Sequence, residues 1–340
     1  MNDKAISQPH LHVIWDSDGS LDGVIGLLCF LQNPNVSVDA LTISCGEAYP
    51  DIYTAHLPRL LARLERGVLP IAAGRSTPLE GNNAFPPHWR AVINDFLGID
   101  LPETDESIDP LPAADLIVKV LNDSPSPVTV FVCGPHTNLA EALRLDPNTK
   151  DKIASVQVMG GAVYVPGNIE SEWPEIHNRV AEWNIWVDPV AASEVFNAGL
   201  PLYMTPLDAT NQVIWTSDDA DTWEASGTAE GKLAAEILRW FVDFMYELYP
   251  EGAYMWDLVA AVNVTNPDLC GGEQVHVQVV TEPGEKQGHT LVVRDQPANV
   301  TAYLTPKADE IKHLVARTLG LPRDDRLVSQ YAGGFEPKGT

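Results

Sequence analysis

Basic residues are scarce in this 340-residue chain: 21 Lys and Arg stand against 47 Asp and Glu, a formal charge of −26. A surface of that sign repels nucleic-acid backbones and anionic membranes, which argues against both as partners and leaves a small molecule as the expected substrate. Cysteine is scarce as well. Cys29, Cys45, Cys133 and Cys270 show no Cys-x-x-Cys spacing, so no zinc site or disulfide framework is expected, and the thiols are read as reduced. No run of about 18 apolar residues is long enough to span a bilayer, and Met1–His10 lacks the basic flank and apolar core of a secretion signal. These absences imply a cytoplasmic protein. No internal repeat is evident.

What is present is a chain that is 45% hydrophobic and 20% charged, the balance of a globular protein able to bury a sizeable core. Short β-rich runs at Leu11–Trp15, Val38–Ser44, Leu69–Ala73, Val128–Val132, Ser155–Met159 and Leu202–Thr205 alternate with helical patterns near Val24–Leu31, Thr54–Arg66, Ala113–Asn122 and Asn138–Leu145. Such alternation predicts βαβ units and a Rossmann-like, mostly parallel mixed sheet flanked by helices. Asp188, Pro189 and Gly199 bracket a further helix as N-cap, first residue and C-terminal stop. Beyond residue 220 the spacing predicts a long helix over Ala229–Leu248 and a closing one over Asp309–Leu319. Between them, strands at Val275–Thr281, Thr290–Val293 and Thr301–Leu304 read as a hairpin-like excursion. Thr77–Pro87 and Pro102–Pro112 read as long surface loops, which are often functional. One α/β domain over residues 1–320 is expected, followed by a loose tail over 321–340.

The chemistry gathers where the first strand ends. Asp16-Ser17-Asp18-Gly19-Ser20-Leu21-Asp22-Gly23 puts three carboxylates at the carboxyl end of that strand, the edge of an open α/β sheet at which ligands bind. An acidic turn capping the next helix would use the same residue types. However, three carboxylates this close repel one another unless protons or a cation screen them. Taken alone, the segment resembles two families. One is the haloacid-dehalogenase-type phosphatases, with Asp16 as nucleophile and Asp18 as acid/base; Asp218-Asp219 would then be their closing acidic pair. The other is the calcium-dependent nucleoside hydrolases.

Further motifs favour the second. Met159-Gly160-Gly161-Ala162-Val163, Pro166-Gly167-Asn168, Ala181-Glu182-Trp183-Asn184-Ile185 with Asp188-Pro189, and Tyr254-Met255-Trp256-Asp257 follow in the order and spacing of that family. With the first loop, the resemblance covers roughly residues 11 to 320. It implies an N-ribohydrolase in which Asp18 is the general base on a metal-activated water. Asp22, Glu182 and Asp257 would hold the ribose 2′-, 5′- and 3′-hydroxyls, with Asn168, Asn184 and Met159 completing the sugar site. It also implies a Ca²⁺ held by Asp18, Asp257 and the backbone carbonyl of Cys133, with Asp16 behind them, and a homodimer or homotetramer. Carboxylates and amides suit ribose hydroxyls on chemical grounds alone, although Asn168 would equally serve a turn and Glu182 or Asn184 a solvated loop.

The base end resembles the purine-specific, inosine-adenosine-guanosine branch. Trp89 and Trp256 match the two aromatics that sandwich the base there, and Glu47 matches an acidic residue at its edge; both tryptophans could instead be ordinary buried aromatics. No His stands beside Asp257 as a proton donor. The departure from the family is Gly23, where a second adjacent aspartate would ligate the metal. If this is a defect, Gly23→Asp should tighten calcium; if another group compensates, it should give no gain. A catalytically weakened nucleoside-binding homologue therefore stands as the alternative to a purine nucleosidase, ahead of the phosphatase.

Overall fold

The computed structural model describes residues 10–322; the expected tail from residue 323 onward lies outside the described residues. Six of the anticipated strands form with small shifts of boundary: β1 (Leu11–Ser17), β2 (Val36–Ile43), β3 (Ile71–Ala73), β4 (Val128–Cys133), β5 (Ile153–Met159) and β6 (Leu202–Thr205). Two-residue β7 (Ile214–Trp215) and β8 (Ala253–Tyr254) pair with each other, and β9 (Cys270–Val275), β10 (Val277–Val279), β11 (Thr290–Val292) and β12 (Val300–Pro306) follow. The main sheet has the order β3-β2-β1-β4-β5-β6-β12-β9, and every pairing in it is parallel except that of β9 with β12.

Parallel strands covered on both faces read as continuous apolar runs, and β4 is buried along its whole length. Alternate side chains of β1 serve two cores. Val13 and Trp15 pack with helices Leu21–Gln32, Ala229–Met245, Trp256–Thr265 and Ala308–Leu319. Ile14 packs on the other side with helices Ala113–Asp123, Thr137–Leu145 and Pro189–Phe196. The last of these starts as its sequence predicts: Asp188 accepts the Ala191 N–H at 3.0 Å, Pro189 opens the helix, and Gly199 beyond its end has φ +75°.

The helix expected near Thr54–Arg66 forms over His56–Arg63, after a short turn of helix at Pro50–Tyr53. One expectation needs correction. The three late strands are not one excursion. Only β10 and β11 form a hairpin, while β12 enters the main sheet beside β6, with β9 along its outer edge. Such long-range pairing depends on which edge is left open, which local spacing does not encode. The hairpin has a structural use: the Thr290 hydroxyl donates to the Ala162 carbonyl at 2.7 Å and accepts its N–H at 3.0 Å, fixing the loop after β5.

Strand order reverses between β1 and β4, whose neighbours β2 and β5 continue outward on opposite sides. At such a switch point the loops leaving the carboxyl ends diverge and open a crevice.

Candidate active site

Asp18 sits in that crevice, 1% exposed, and the neighbouring backbone is built around it. A Cβ on Gly46 would lie 2.1 Å from Asp18 Oδ2, and one on Gly134 would lie 2.7 Å from Asp18 Cβ. The loops after β2 and β4 therefore close on Asp18 because both carry glycine at the point of approach. Oδ2 accepts the Glu47 N–H at 3.1 Å and Oδ1 the Ser20 N–H at 3.4 Å.

One pocket is lined by Asp18, Asp22, Glu47, Trp89, Met159, Asn168, Glu182, Asn184, Trp256 and Asp257. Every side chain anticipated to touch nucleoside is thus brought together from seven separate stretches of sequence. Asp22 Oδ2 accepts the Asp257 N–H at 2.8 Å and so ties the first helix to the start of Trp256–Thr265. Glu182 caps the short helix Trp183–Val187, accepting the N–H groups of Asn184 (2.9 Å), Ile185 (3.2 Å) and Gly161 (2.9 Å). A carboxylate offers about four acceptor sites, so these three bonds leave room for a ligand hydroxyl. Asn184 Nδ2 donates to the Met159 carbonyl at 3.2 Å. Asn168 Nδ2 donates to Glu172 at 3.2 Å, whereas its buried Oδ1 has no partner among the described residues. An unpaired buried acceptor in a polar pocket is what a sugar hydroxyl would satisfy.

Ser20, Glu172 and Trp183 also line the pocket and were missed from sequence, as were apolar lining residues such as Phe85 and Trp240. Glu172 receives Asn168, the Trp183 indole N–H at 2.9 Å and the Tyr249 hydroxyl at 3.0 Å, so it orients the Asn168 amide and the Trp183 ring. It follows Asn168 by four positions, a helical spacing, but no local pattern announces a helix as short as Ile169–Glu172. Trp183 stacks on Phe85 at 4.7 Å between ring centroids, and Trp89 meets it edge-on at 5.5 Å. Trp256 also lines the pocket, and its indole N–H donates to Asn211 at 2.9 Å, fixing its plane.

Asp16 is fully buried but does not line the pocket. Its Oδ1 accepts the Thr42 hydroxyl at 2.7 Å and Asn138 Nδ2 at 2.8 Å, joining β1 to β2 and to helix Thr137–Leu145. These bonds fix Asp16 two residues before Asp18, while its buried Oδ2 has no partner among the described residues. Cys133, completely buried at the end of β4, pairs in register with Ser17; burial, with the charges of Asp257 and Asp18, pushes its thiol well up, which keeps it protonated. Asp218 and Asp219 lie outside this pocket at the start of helix Ser217–Ala225, where Asp219 caps with Thr216 and pairs with Lys312 at 2.8 Å. The phosphatase arrangement is therefore absent.

Burial raises the Asp18 carboxyl to about 7, against the two N–H donors that lower it and with help from Asp22 and Glu182. Burial likewise raises Asp22 to about 6 and Glu182 to about 7. Asp257 is pushed well above its ordinary value by burial and by the charges of Asp22 and Asp18, and Glu47 by burial and by Asp18 and Asp22. Among the described residues, no Lys or Arg lines the pocket. An acid whose folded pKa is raised binds more protons folded than unfolded, so it costs stability as pH rises from its unfolded value near 4 through its folded value. Buried His136, lowered to about 3 by burial, acts oppositely only as pH falls below about 6.5. In chelator, the melting temperature should therefore fall by several degrees between pH 6 and pH 8; a flat or rising profile in differential scanning calorimetry would contradict this charge arrangement.

Fold and site together define an α/β protein with a carboxylate- and amide-lined pocket at the switch point of its sheet. A family model of the inosine-uridine preferring nucleoside hydrolases matches residues 13–313, and the chain belongs to this family of hydrolases acting on N-glycosyl bonds. The chain is 32% identical over 291 residues to the pyrimidine-specific ribonucleoside hydrolase RihA of Citrobacter koseri, covering 83% of this chain and 88% of that one. It is 34% identical over 236 residues to the enzyme of the same name from Salmonella arizonae, covering 69% and 72%. Among solved structures, a plant nucleoside hydrolase superposes with a TM-score of 0.82 at 26% identity, covering 92% of this chain and all (100%) of that one. The purine-preferring ribonucleoside hydrolase of Gardnerella vaginalis shares the fold, with a TM-score of 0.81 at 22% identity over 91% of this chain and 98% of that one.

Proposed function

We propose that this chain hydrolyses purine ribonucleosides to base and ribose, with Asp18 as general base. The observation that carries this is one pocket lined both by Asp18, Asp22, Asn168, Glu182, Asn184 and Asp257 and by the aromatic rings of Trp89, Trp183 and Trp256. Asp18 takes a proton from the attacking water, the water oxygen bonds to the anomeric carbon, and the C–N bond breaks with its electron pair leaving on the base. Positive charge develops on the sugar as in glycoside hydrolysis, where surrounding carboxylates stabilise it.

The donor chemistry fits a hard cation such as Ca²⁺, which prefers carboxylate and carbonyl oxygens; crowded buried carboxylates without a Lys or Arg also call for positive charge. Asp18, Asp257 and the Cys133 carbonyl would hold it. When bound, such an ion polarises the attacking water.

Base stacking on an aromatic plane contributes about 1–3 kcal/mol and grows with the surface of the base. Inosine should therefore be cleaved with a higher kcat/KM than uridine, and Trp256→Ala should lower kcat/KM for inosine by about 10–100-fold. The names of the Citrobacter and Salmonella relatives favour the rival reading of pyrimidine preference. Steady-state assays with both nucleosides decide: equal or better cleavage of uridine refutes the purine reading and leaves nucleoside hydrolysis standing.

A further inference from the structure

Position 23, where the family resemblance leads one to expect a metal-binding aspartate, is glycine, and a serine hydroxyl and an aspartate oxygen lie where its side chain would begin. Gly23 is the third residue of the first helix, and a Cβ there would lie 2.9 Å from Asp257 Oδ2 and 2.7 Å from Ser20 Oγ. The Ser20 hydroxyl donates to Asp257 Oδ2 and accepts the Gly23 N–H at 3.3 Å. Any side chain leaving position 23 would meet this hydroxyl first. Among the described residues, no three His, Cys, Asp or Glu side chains are placed to hold a metal ion, so carboxylates alone do not complete a cage.

We propose that Ser20 substitutes for the missing carboxylate: its hydroxyl is a neutral oxygen ligand beside Asp257, and residues 20 and 23 form a coupled pair. This rests on the cation-dependent reading above. A hydroxyl has one proton and two acceptor lone pairs. Here the proton goes to Asp257 and one lone pair to the Gly23 N–H, which leaves one lone pair for a hard cation. The exchange removes one negative charge from a site where Asp18, Asp22 and Asp257 already repel one another. It selects, of the two outcomes open for Gly23→Asp, the one in which another group compensates. Alone, that substitution would drive its side chain against Ser20 Oγ and add a carboxylate next to Asp257, so it should not tighten calcium.

The test is a double-mutant cycle read by calorimetric titration of CaCl₂ into the chelator-stripped full chain. Ser20→Gly keeps most of the capping stability, since glycine is tolerated at an N-cap, but should weaken calcium by about 10–100-fold, the scale reported for losing a group that supports a metal site. Ser20→Thr retains the hydroxyl and should keep the parent's affinity. Gly23→Asp should bind no more tightly than the parent, whereas Ser20→Gly/Gly23→Asp should recover the affinity that Ser20→Gly loses. Ser20→Ala replaces the glycine variant if the latter melts below the assay temperature. The proposal is overturned if Ser20→Gly keeps the parent's affinity, if Gly23→Asp alone binds more tightly, if the double variant is no tighter than Ser20→Gly, or if the parent takes up no calcium. Ribose release from inosine by the parent, measured separately, shows whether the hydrolase reading survives such a failure.

Discussion

Replacing Asp18 by asparagine lowers the turnover of ribose release by about 10²–10⁴-fold, the range over which a positioned general base contributes to a rate. Asparagine has a single acceptor oxygen; turned toward the Glu47 N–H it keeps the loops after β1 and β2 in contact, while the longer bond from the Ser20 N–H loses its acceptor. What is lost is the proton acceptor. The substitution also removes a carboxyl that burial has raised to about 7. Because a raised acid destabilises the folded chain once pH exceeds its folded value, Asp18→Asn should melt at or above the parent's temperature at pH 8 in chelator. A variant that is inactive and less stable would point to a structural role for Asp18. One that is stable and nearly as active as the parent would remove it from catalysis altogether.

The second large effect is expected at a residue with no functional group. In Gly46→Ala the added methyl would be placed 2.1 Å from Asp18 Oδ2 and 2.3 Å from Asp18 Cβ, closer than non-bonded atoms approach. The loop cannot simply retreat, since the Gly46 carbonyl accepts Arg90 Nε at 2.9 Å and the next N–H is the one bound to Asp18. Displacing a reacting group by about 1 Å can cost 10²-fold in rate, and forcing a methyl into packed surroundings costs about 1–3 kcal/mol of stability. Gly46→Ala should thus lose turnover by about 10²-fold, with a smaller change in KM because the ribose-facing Asn168, Glu182 and Asn184 belong to other loops. A kcat within twofold of the parent's would show that Asp18 does not depend on the close approach of this loop.

The contrast between Asp18 and Gly46 marks what the sequence could convey. Asp18 is legible because an apolar strand runs into a turn crowded with carboxylates, and the unusual density of charge identifies the turn. Glu182, Asn184 and Asp257 become legible only in combination, since each alone is compatible with a cap or a solvated loop. Gly46 and Gly134 give no such signal; their importance arises from two other strands arriving at Asp18, a consequence of the β2-β1-β4 order. The helix over Trp256–Thr265 is hidden for a different reason. Its residues from Asp257 to Val264 are all buried, so no polar face interrupts the apolar run, and a helix buried on all sides lacks the period that identifies an amphipathic one. Ser20 was visible as a turn residue. Its contact with Asp257, 237 positions away, required the fold.

The most direct test of the central claim is the stoichiometry of products from inosine in phosphate-free buffer containing calcium, with hypoxanthine followed by chromatography and ribose by reducing-sugar assay. Hydrolysis at this site predicts one free ribose for each hypoxanthine, with turnover abolished to the stated extent by Asp18→Asn. Binding of inosine without release of either product would contradict it and make the chain a nucleoside-binding protein instead.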